Sequence, residues 1–329
     1  MKVLMFNVNE EEEDYISKCN QNFSFDLQIA DFDFNTTEKE SFNGFDAIWI
    51  LTGCRVTSDK VKELAAAGVR YIVSRAAGID HIDLAALQKA GIKAANVPRY
   101  SPNAIAEHTV CMTLMALRKM KRELIMIDQY DFTLNGLKGR ELRNLTAGVI
   151  GTGRIGAETV KLLNGFGCRI LAHDLYENLE ITKLVNYCTM QEIFTESDII
   201  ILHCPLTKDN EKIINVDTIG KMKEGSVLIN TARGGLVDYK ALLQGLESGK
   251  LSAAAFDVYD DEATYIRKKA DPEQFDNQIL KQLMEKDNVI YTAHMSFFTD
   301  TAIKNMILTS FENLQEYSQT EHCSNEVTN

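Results

Sequence analysis

Three polar side chains stand just past apolar, strand-like runs in the C-terminal half of the chain. Arg233 follows residues 226–231, Glu262 follows 251–258, and His294 follows 288–291. In an open α/β sheet, the groups that act on a ligand sit beyond the carboxyl ends of the strands. An arginine there, followed by Gly234 and Gly235, can grip a carboxylate through two parallel hydrogen bonds, which a lysine cannot. Histidine is the side chain best placed to pass a proton near neutral pH. A neighbouring carboxylate orients such a ring and favours its charged form. The three together suit the interconversion of a carbonyl and an alcohol on an acid substrate. Each also has an ordinary alternative: a surface arginine in an ion pair, a solvated acidic turn at Asp260, Asp261 and Glu262, and a structural histidine beside aromatics.

The element that would place a cofactor lies upstream. Gly151, Gly153 and Gly156 fit G-x-G-x-x-G directly after the β-branched pair Val149 and Ile150. A helical pattern follows from Arg154 to Phe166, then a second apolar run ending in Asp174. This is a strand, a tight turn, a helix, a strand and a carboxylate in one βαβ unit. Gly151 permits the sharp turn, Gly153 lets a pyrophosphate approach the backbone, and Gly156 lets the helix pack close to the sheet. The helix start favours an anion. Asp174 can accept from both ribose hydroxyls and would repel a 2′-phosphate, which points to NAD. A nucleoside-binding methyltransferase shares the turn and the acid. It has no use for Arg233, Glu262 and His294 on successive strand ends.

With 329 residues the chain can bury two cores. A net charge of −12 argues against non-specific binding to nucleic acid or an anionic membrane, although a local basic patch for an anionic ligand remains open. No apolar run is long enough to span a bilayer, and the N-terminus reads as a strand followed by acids, not as a signal peptide. Seven cysteines without C-x-x-C spacing suit free thiols in a reducing cytoplasm, and no metal-ligand pattern is present.

Strands are expected at 2–7, 45–51, 69–74 and 92–97, with helices at 11–19, 58–67 and 84–90. Ser58 is a plausible N-cap and Trp49 a core residue. The alternation implies a parallel sheet covered on both faces. Pro98 and Pro102 break the rhythm, and Pro102 suits the first turn of a helix running from Asn103 to about Leu124. Residues 131–143 are irregular. Past Asp174 the chain is less regular until strands at 197–204, 226–231, 251–258 and 288–291, with a helix at 239–248. A final helix spans 300–317, and the polar tail beyond Glu321 is expected to be loose. The last helix, lying beyond the final strand, should return to the first domain. That makes residues 1–101 and 300–329 a discontinuous substrate domain and 102–299 a nucleotide domain, with a cleft between them as the substrate site.

The pattern resembles the D-isomer-specific 2-hydroxyacid dehydrogenases, most closely the D-lactate dehydrogenase branch, over nearly the whole chain. It is carried by Val97-Pro-Arg-Tyr-Ser-Pro-Asn-Ala-Ile-Ala-Glu107, Gly148-Val-Ile-Gly-Thr-Gly-Arg-Ile-Gly156 and Asn230-Thr-Ala-Arg-Gly-Gly-Leu-Val-Asp238. Asp257-Val-Tyr-Asp-Asp-Glu262, Ala293-His294 and Phe298-Thr299 continue it. The resemblance implies a Rossmann NAD-binding domain and a flavodoxin-like substrate domain. It implies Arg233, Glu262 and His294 as the catalytic set, and substrate contacts from Ala76, Ala77, Gly78, Tyr100 and Phe298 as well as Arg233 and His294. Contacts to NAD would come from Gly151, Gly153, Arg154, Ile155, Gly156, Asp174, His203, Pro205, Thr231, Ala232 and Asp257. A homodimer and the (R) stereochemistry are likewise implied. Two positions depart from the common pattern: Ala293 stands where proline is usual, and Phe298 where this branch often has tyrosine. The second removes a pocket hydroxyl.

The resemblance favours reduction of pyruvate. Cys54, Arg55, Tyr100, Tyr265, Phe297 and Phe298 are further pocket candidates, so branched, aromatic or dicarboxylic 2-oxo acids remain as alternatives. A non-catalytic NAD-binding corepressor that keeps the same three residues is the other alternative.

Overall fold

Parallel strands alternate with helices along the chain, as the strand–helix rhythm of the sequence requires. The computed structural model describes residues 1–260 and 262–328; Asp261 of the acidic turn and Asn329 lie outside the described residues. The chain divides into two units, Met1–Ser101 with Ala263–Arg267 and Phe298–Asn329, and Pro102–Glu262 with Lys268–Phe297. The short segment Ala263–Arg267, read from sequence as part of the nucleotide domain, groups instead with the first unit.

The first unit holds β1 (Lys2–Met5), β2 (Asp26–Ile29), β3 (Ala47–Ile50), β4 (Tyr71–Ser74) and β5 (Lys93–Ala95). They form one parallel sheet in the order β2-β1-β3-β4-β5, the flavodoxin-like arrangement. Between the strands run α1 (Glu10–Asn20), α2 (Ser58–Ala66) and α3 (Leu84–Ala90). Helix α1 starts in a capping box: Asn9 accepts from the Glu12 N–H at 3.0 Å and Glu12 accepts from the Asn9 N–H at 3.1 Å. Helix α2 is capped by Thr57, one residue before the Ser58 expected from sequence, and Thr57 accepts from the Lys60 N–H. The C-terminal helix Asp300–Thr320 sets Ile303, Ile307, Phe311 and Leu314 at spacings of four, four and three, so they share one face. They pack with Val3, Met5, Trp49 and Val73 in one core, with Phe311 edge-on to Trp49.

The polar composition past Glu321 predicts a loose tail, and the structure overturns this. Glu326 bridges antiparallel to Ala95, and the Val327 N–H donates to the Ala94 carbonyl at 2.8 Å. The tail thus covers the exposed edge of β5, whose backbone groups need partners that composition cannot reveal.

The second unit contributes β6 (Thr146–Ile150), β7 (Arg169–His173), β8 (Asn186–Tyr187), β9 (Ile199–Leu202), β10 (Ser226–Asn230), β11 (Leu251–Phe256) and β12 (Val289–Tyr291). All pair in parallel, in the order β12-β11-β10-β9-β6-β7-β8, which is Rossmann topology with its switch point at β6 and β9. The long helix expected from Asn103 to Leu124 is two helices, α4 (Pro102–Leu117) and α5 (Met120–Asp128). The break falls at Lys119, whose φ of 53° is left-handed and cannot continue a helix. Apolar periodicity runs through both pieces and hides the break. Helix α6 (Arg154–Gly165) covers β6, and α7 (Met190–Glu196) fills part of the region read as irregular. Helices α8 (Val216–Lys221), α9 (Tyr239–Glu247) and α10 (Gln278–Glu285) complete the unit. Among the described residues no helix is long and apolar enough to cross a membrane.

Candidate active site

The turn after β12 carries His294 in a left-handed conformation, φ 53°. A β-carbon makes that conformation unfavourable, so neighbours must hold it. Asp257, directly after β11 and fully buried, supplies them. Its Oδ1 accepts from the Thr292 hydroxyl at 2.6 Å and the Met295 N–H at 2.9 Å, and its Oδ2 from the Ser296 N–H at 2.9 Å. Its carbonyl accepts from the His294 N–H at 2.7 Å. Behind Thr292 lies His108 of α4, 3.1 Å from the Thr292 hydroxyl. Burial pushes the His108 ring below its ordinary pKa, and Asp257 opposes that in part.

His294 Nδ1 lies 2.5 Å from Glu262 Oε1. The other oxygen of Glu262 accepts from the Tyr259 N–H at 2.9 Å, which fixes the carboxylate to the chain leaving β11. With Nδ1 engaged by the carboxylate, Nε2 is the ring nitrogen left to exchange a proton with a substrate.

Arg233 sits on the turn after β10. Asn230, 1% exposed, shapes that turn: its amide donates to the Arg233 carbonyl at 2.9 Å and accepts from the Ala232 N–H at 3.0 Å. The Arg233 guanidinium donates to the Ala232 carbonyl at 2.8 Å through Nη1. A β-carbon on Gly234 would overlap the backbone of Tyr259 and Asp260. The arginine turn therefore lies directly on the segment that leads to Glu262. The structure brings Glu262 and His294 into contact and seats the Arg233 turn against the same segment.

The glycine turn fits a dinucleotide. Gly151 has φ 97°, and a β-carbon there would run into the backbone of His203 and Cys204. A β-carbon on Gly156 would overlap the Gly151 carbonyl. At Gly153, by contrast, it would meet nothing within 4 Å, and no side chain caps α6 there. An exposed, uncapped helix start with empty space in front of its glycine is what a pyrophosphate requires. Asp174, past β7, is held by Thr152, whose N–H and hydroxyl both donate to Oδ2, at 2.5 and 3.1 Å. Nothing in the sequence points to this role of Thr152. Tyr187 donates to its hydroxyl and Asn178 to its carbonyl. His203 lies 2.8 Å from the Thr159 hydroxyl, and burial pushes its pKa down to about 3. Pro205 is exposed, and the Thr231 hydroxyl meets that of Thr109 at 2.7 Å.

The first unit holds the remaining sequence-predicted residues. Ala76 is buried, Ala77 exposed and Gly78 half-buried, after β4. The Tyr100 carbonyl accepts from Asn305 at 2.6 Å, and Phe298 packs on the core around Trp49 and Phe311. Two further roles escaped the sequence reading, the turn-shaping of Asn230 and the anchoring by Asp257. The first was legible, since an asparagine two residues before a turn N–H is a known turn-former. The second was not, because nothing in the sequence places Asp257 beneath residues 292–296.

The sequence family described as D-isomer specific 2-hydroxyacid dehydrogenase, NAD binding domain, matches residues 110–296. The chain is 37% identical over 327 residues to an aromatic 2-oxoacid reductase of Clostridium sporogenes, covering 99% of each. The chain belongs to the D-isomer-specific 2-hydroxyacid dehydrogenase family. The apo-structure of D-lactate dehydrogenase from Escherichia coli superposes with a TM-score of 0.88 at 33% identity over 100% of both chains. The Aquifex aeolicus D-lactate dehydrogenase, solved with NAD and lactic acid, gives 0.86 at 31% over 99% of each. This dehydrogenase is an NAD-dependent oxidoreductase of the D-lactate dehydrogenase branch, acting on the CH–OH group of 2-hydroxy acids.

Proposed function

We propose that the protein reduces a 2-oxo acid, pyruvate first among them, to the (R)-2-hydroxy acid. The observation that carries this is the His294–Glu262 pair at 2.5 Å, on a strand-end turn of the NAD-binding unit. NADH, when bound, supplies the hydride to C2. Gly153 and Ile155 at the start of α6 would hold its pyrophosphate and Asp174 its adenosine ribose. Protonated His294 gives its proton from Nε2 to the oxygen on C2 as that oxygen becomes an alcohol. In the oxidative direction the neutral ring takes the proton back. Glu262 orients the ring. Arg233 grips a carboxylate. In the first unit, the Ala77 and Gly78 N–H groups, which donate to no group among the described residues, are open to a carboxylate.

A second reading, an aromatic 2-oxo acid as substrate, is favoured by the Clostridium sporogenes relatives and by Phe298 in place of a tyrosine. Rates of NADH oxidation with pyruvate, 2-oxoisocaproate, phenylpyruvate and 2-oxoglutarate decide between them, with chiral analysis of the product. Phenylpyruvate turned over well above pyruvate would displace the first reading. No turnover with any of the four would displace both in favour of a non-catalytic NAD-binding module.

We also infer a homodimer in a reducing cytoplasm. All seven cysteines are free thiols. Leu124, Ile125, Ile127, Tyr130, Phe132 and Leu134 are exposed, an apolar run that a second copy would cover. Light scattering on Phe132→Glu reads this, with a shift toward monomer as the expected result.

A further inference from the structure

The loop Ala76–Gly78 consists of three small residues that cannot fix themselves. Its carbonyls are held from outside. The Ala77 carbonyl accepts from Asn96 Nδ2 at 2.8 Å, and the Ala76 carbonyl from the Val97 N–H at 3.2 Å. No peptide among the described residues is cis. In a trans peptide the C=O and the following N–H point opposite ways. Holding these two carbonyls toward residues 96 and 97 therefore turns the Ala77 and Gly78 N–H groups away from them. Neither of these N–H groups donates to a partner among the described residues.

Asn96 is itself held. Its carbonyl accepts from Asn313 Nδ2 at 2.9 Å, and its N–H donates to the Asn325 carbonyl at 3.3 Å. Asn313, on the C-terminal helix, is 1% exposed. Its Oδ1 accepts from Asn325 Nδ2 at 2.9 Å and from Cys323 Sγ at 3.2 Å. Ser324 is tied to the same helix through Glu316, which accepts from its N–H and its hydroxyl. One unbroken set of amide contacts thus runs from the C-terminal tail to the Ala77 carbonyl. A buried amide stays in place only while its donors and acceptors are matched.

We propose that the C-terminal segment 323–327 is a positioning element for the substrate. Through Asn325, Asn313 and Asn96 it sets the Ala77–Gly78 peptide so that its N–H receives the carboxylate of the 2-oxo acid. This rests on the reading of Ala76–Gly78 as a carboxylate-binding loop.

Two variants cut the relay at different depths. Asn96→Leu keeps the approximate shape, removes the donor to Ala77 and adds no charge that would repel the substrate. Asn325→Ala cuts the far end at a half-buried position and spares the buried amide of Asn313. Steady-state kinetics with pyruvate and with phenylpyruvate, fluorescence titration of NADH, and hydrogen exchange at the Val97 amide are measured on each. Asn96→Leu raises KM for the 2-oxo acid about tenfold, the loss of one good hydrogen bond. Asn325→Ala raises it about threefold. In both, kcat changes less than KM, the NADH dissociation constant stays put, and Val97 exchanges faster. Unchanged KM with unchanged exchange overturns the proposal. So does a parallel rise in KM and in the NADH dissociation constant, which marks general loosening. Faster exchange with unchanged KM leaves the relay standing but sinks the carboxylate reading of the loop, and with it the positioning role.

Discussion

In the seven-stranded unit, the turn after β12 is held by a buried carboxylate, Asp257, whereas in the five-stranded unit the loop after β4 is held by neutral amides. The five-stranded unit does own a buried charge. Arg75, one residue before the loop, pairs with Glu12 and donates to the carbonyls of Phe6 and Asn7. That pair anchors the base of the loop, not the loop itself. The difference follows from what each loop is proposed to meet. His294 is proposed to give a proton, and a carboxylate beside a proton-donating imidazole is favourable. The loop Ala76–Gly78 is proposed to meet an anion, and a carboxylate there would repel it. Neutral amides fix the backbone without that repulsion.

The comparison breaks most sharply at His294. His294→Ala should lower turnover by about 10²–10⁴, with the NADH dissociation constant unchanged; an equal loss of NADH affinity would remove the proton-transfer role. Next comes the carboxylate beneath it. Asp257→Asn replaces an acceptor-only group with one whose NH₂ faces a donor. We expect a loss of about 3 kcal/mol in stability and of about a hundredfold in kcat, read by urea unfolding and kinetics. Full activity in that variant would mean the left-handed turn at His294 holds without the charge.

Acid sharpens the contrast further, because the amide relay does not titrate. His203 in the NAD-binding unit has its pKa pushed from 6.5 to about 3 by burial. Between those values the unfolded chain binds a proton that the folded chain refuses. Its contribution to stability is therefore complete above pH 6.5 and is lost as pH falls toward 3. Between pH 7 and 5 the loss is up to about 2 kcal/mol. Urea midpoints at the two pH values should converge in His203→Gln, and parallel shifts in both proteins would assign the acid sensitivity elsewhere. The smallest effect concerns cofactor choice. Asp174→Ser should relax the preference for NAD over NADP by about tenfold, since an alcohol does not repel a 2′-phosphate. A preference that stays fixed would show that another group excludes the phosphate.

Much of this is legible in the sequence. The glycine spacing, the distal acid and the polar residues past three apolar runs are local features, and local features write themselves into sequence. The two sheets followed from the alternation of strand and helix patterns. What misled was also local. Apolar periodicity ran through Lys119 without a break, although the backbone there turns left-handed. Polar composition past Glu321 resembled a free tail, although Glu326 and Val327 close the β5 edge.

By itself, then, the sequence determined the fold class and the dinucleotide turn and singled out Arg233, Glu262 and His294 as candidates, because side-chain chemistry and short-range spacing suffice for each. Only the tertiary structure decided what holds them. Asp257 lies 35 residues from Thr292 along the chain, and Asn313 lies 217 from Asn96. Contacts at such separations depend on how strands and helices come to rest side by side, and no local pattern records that.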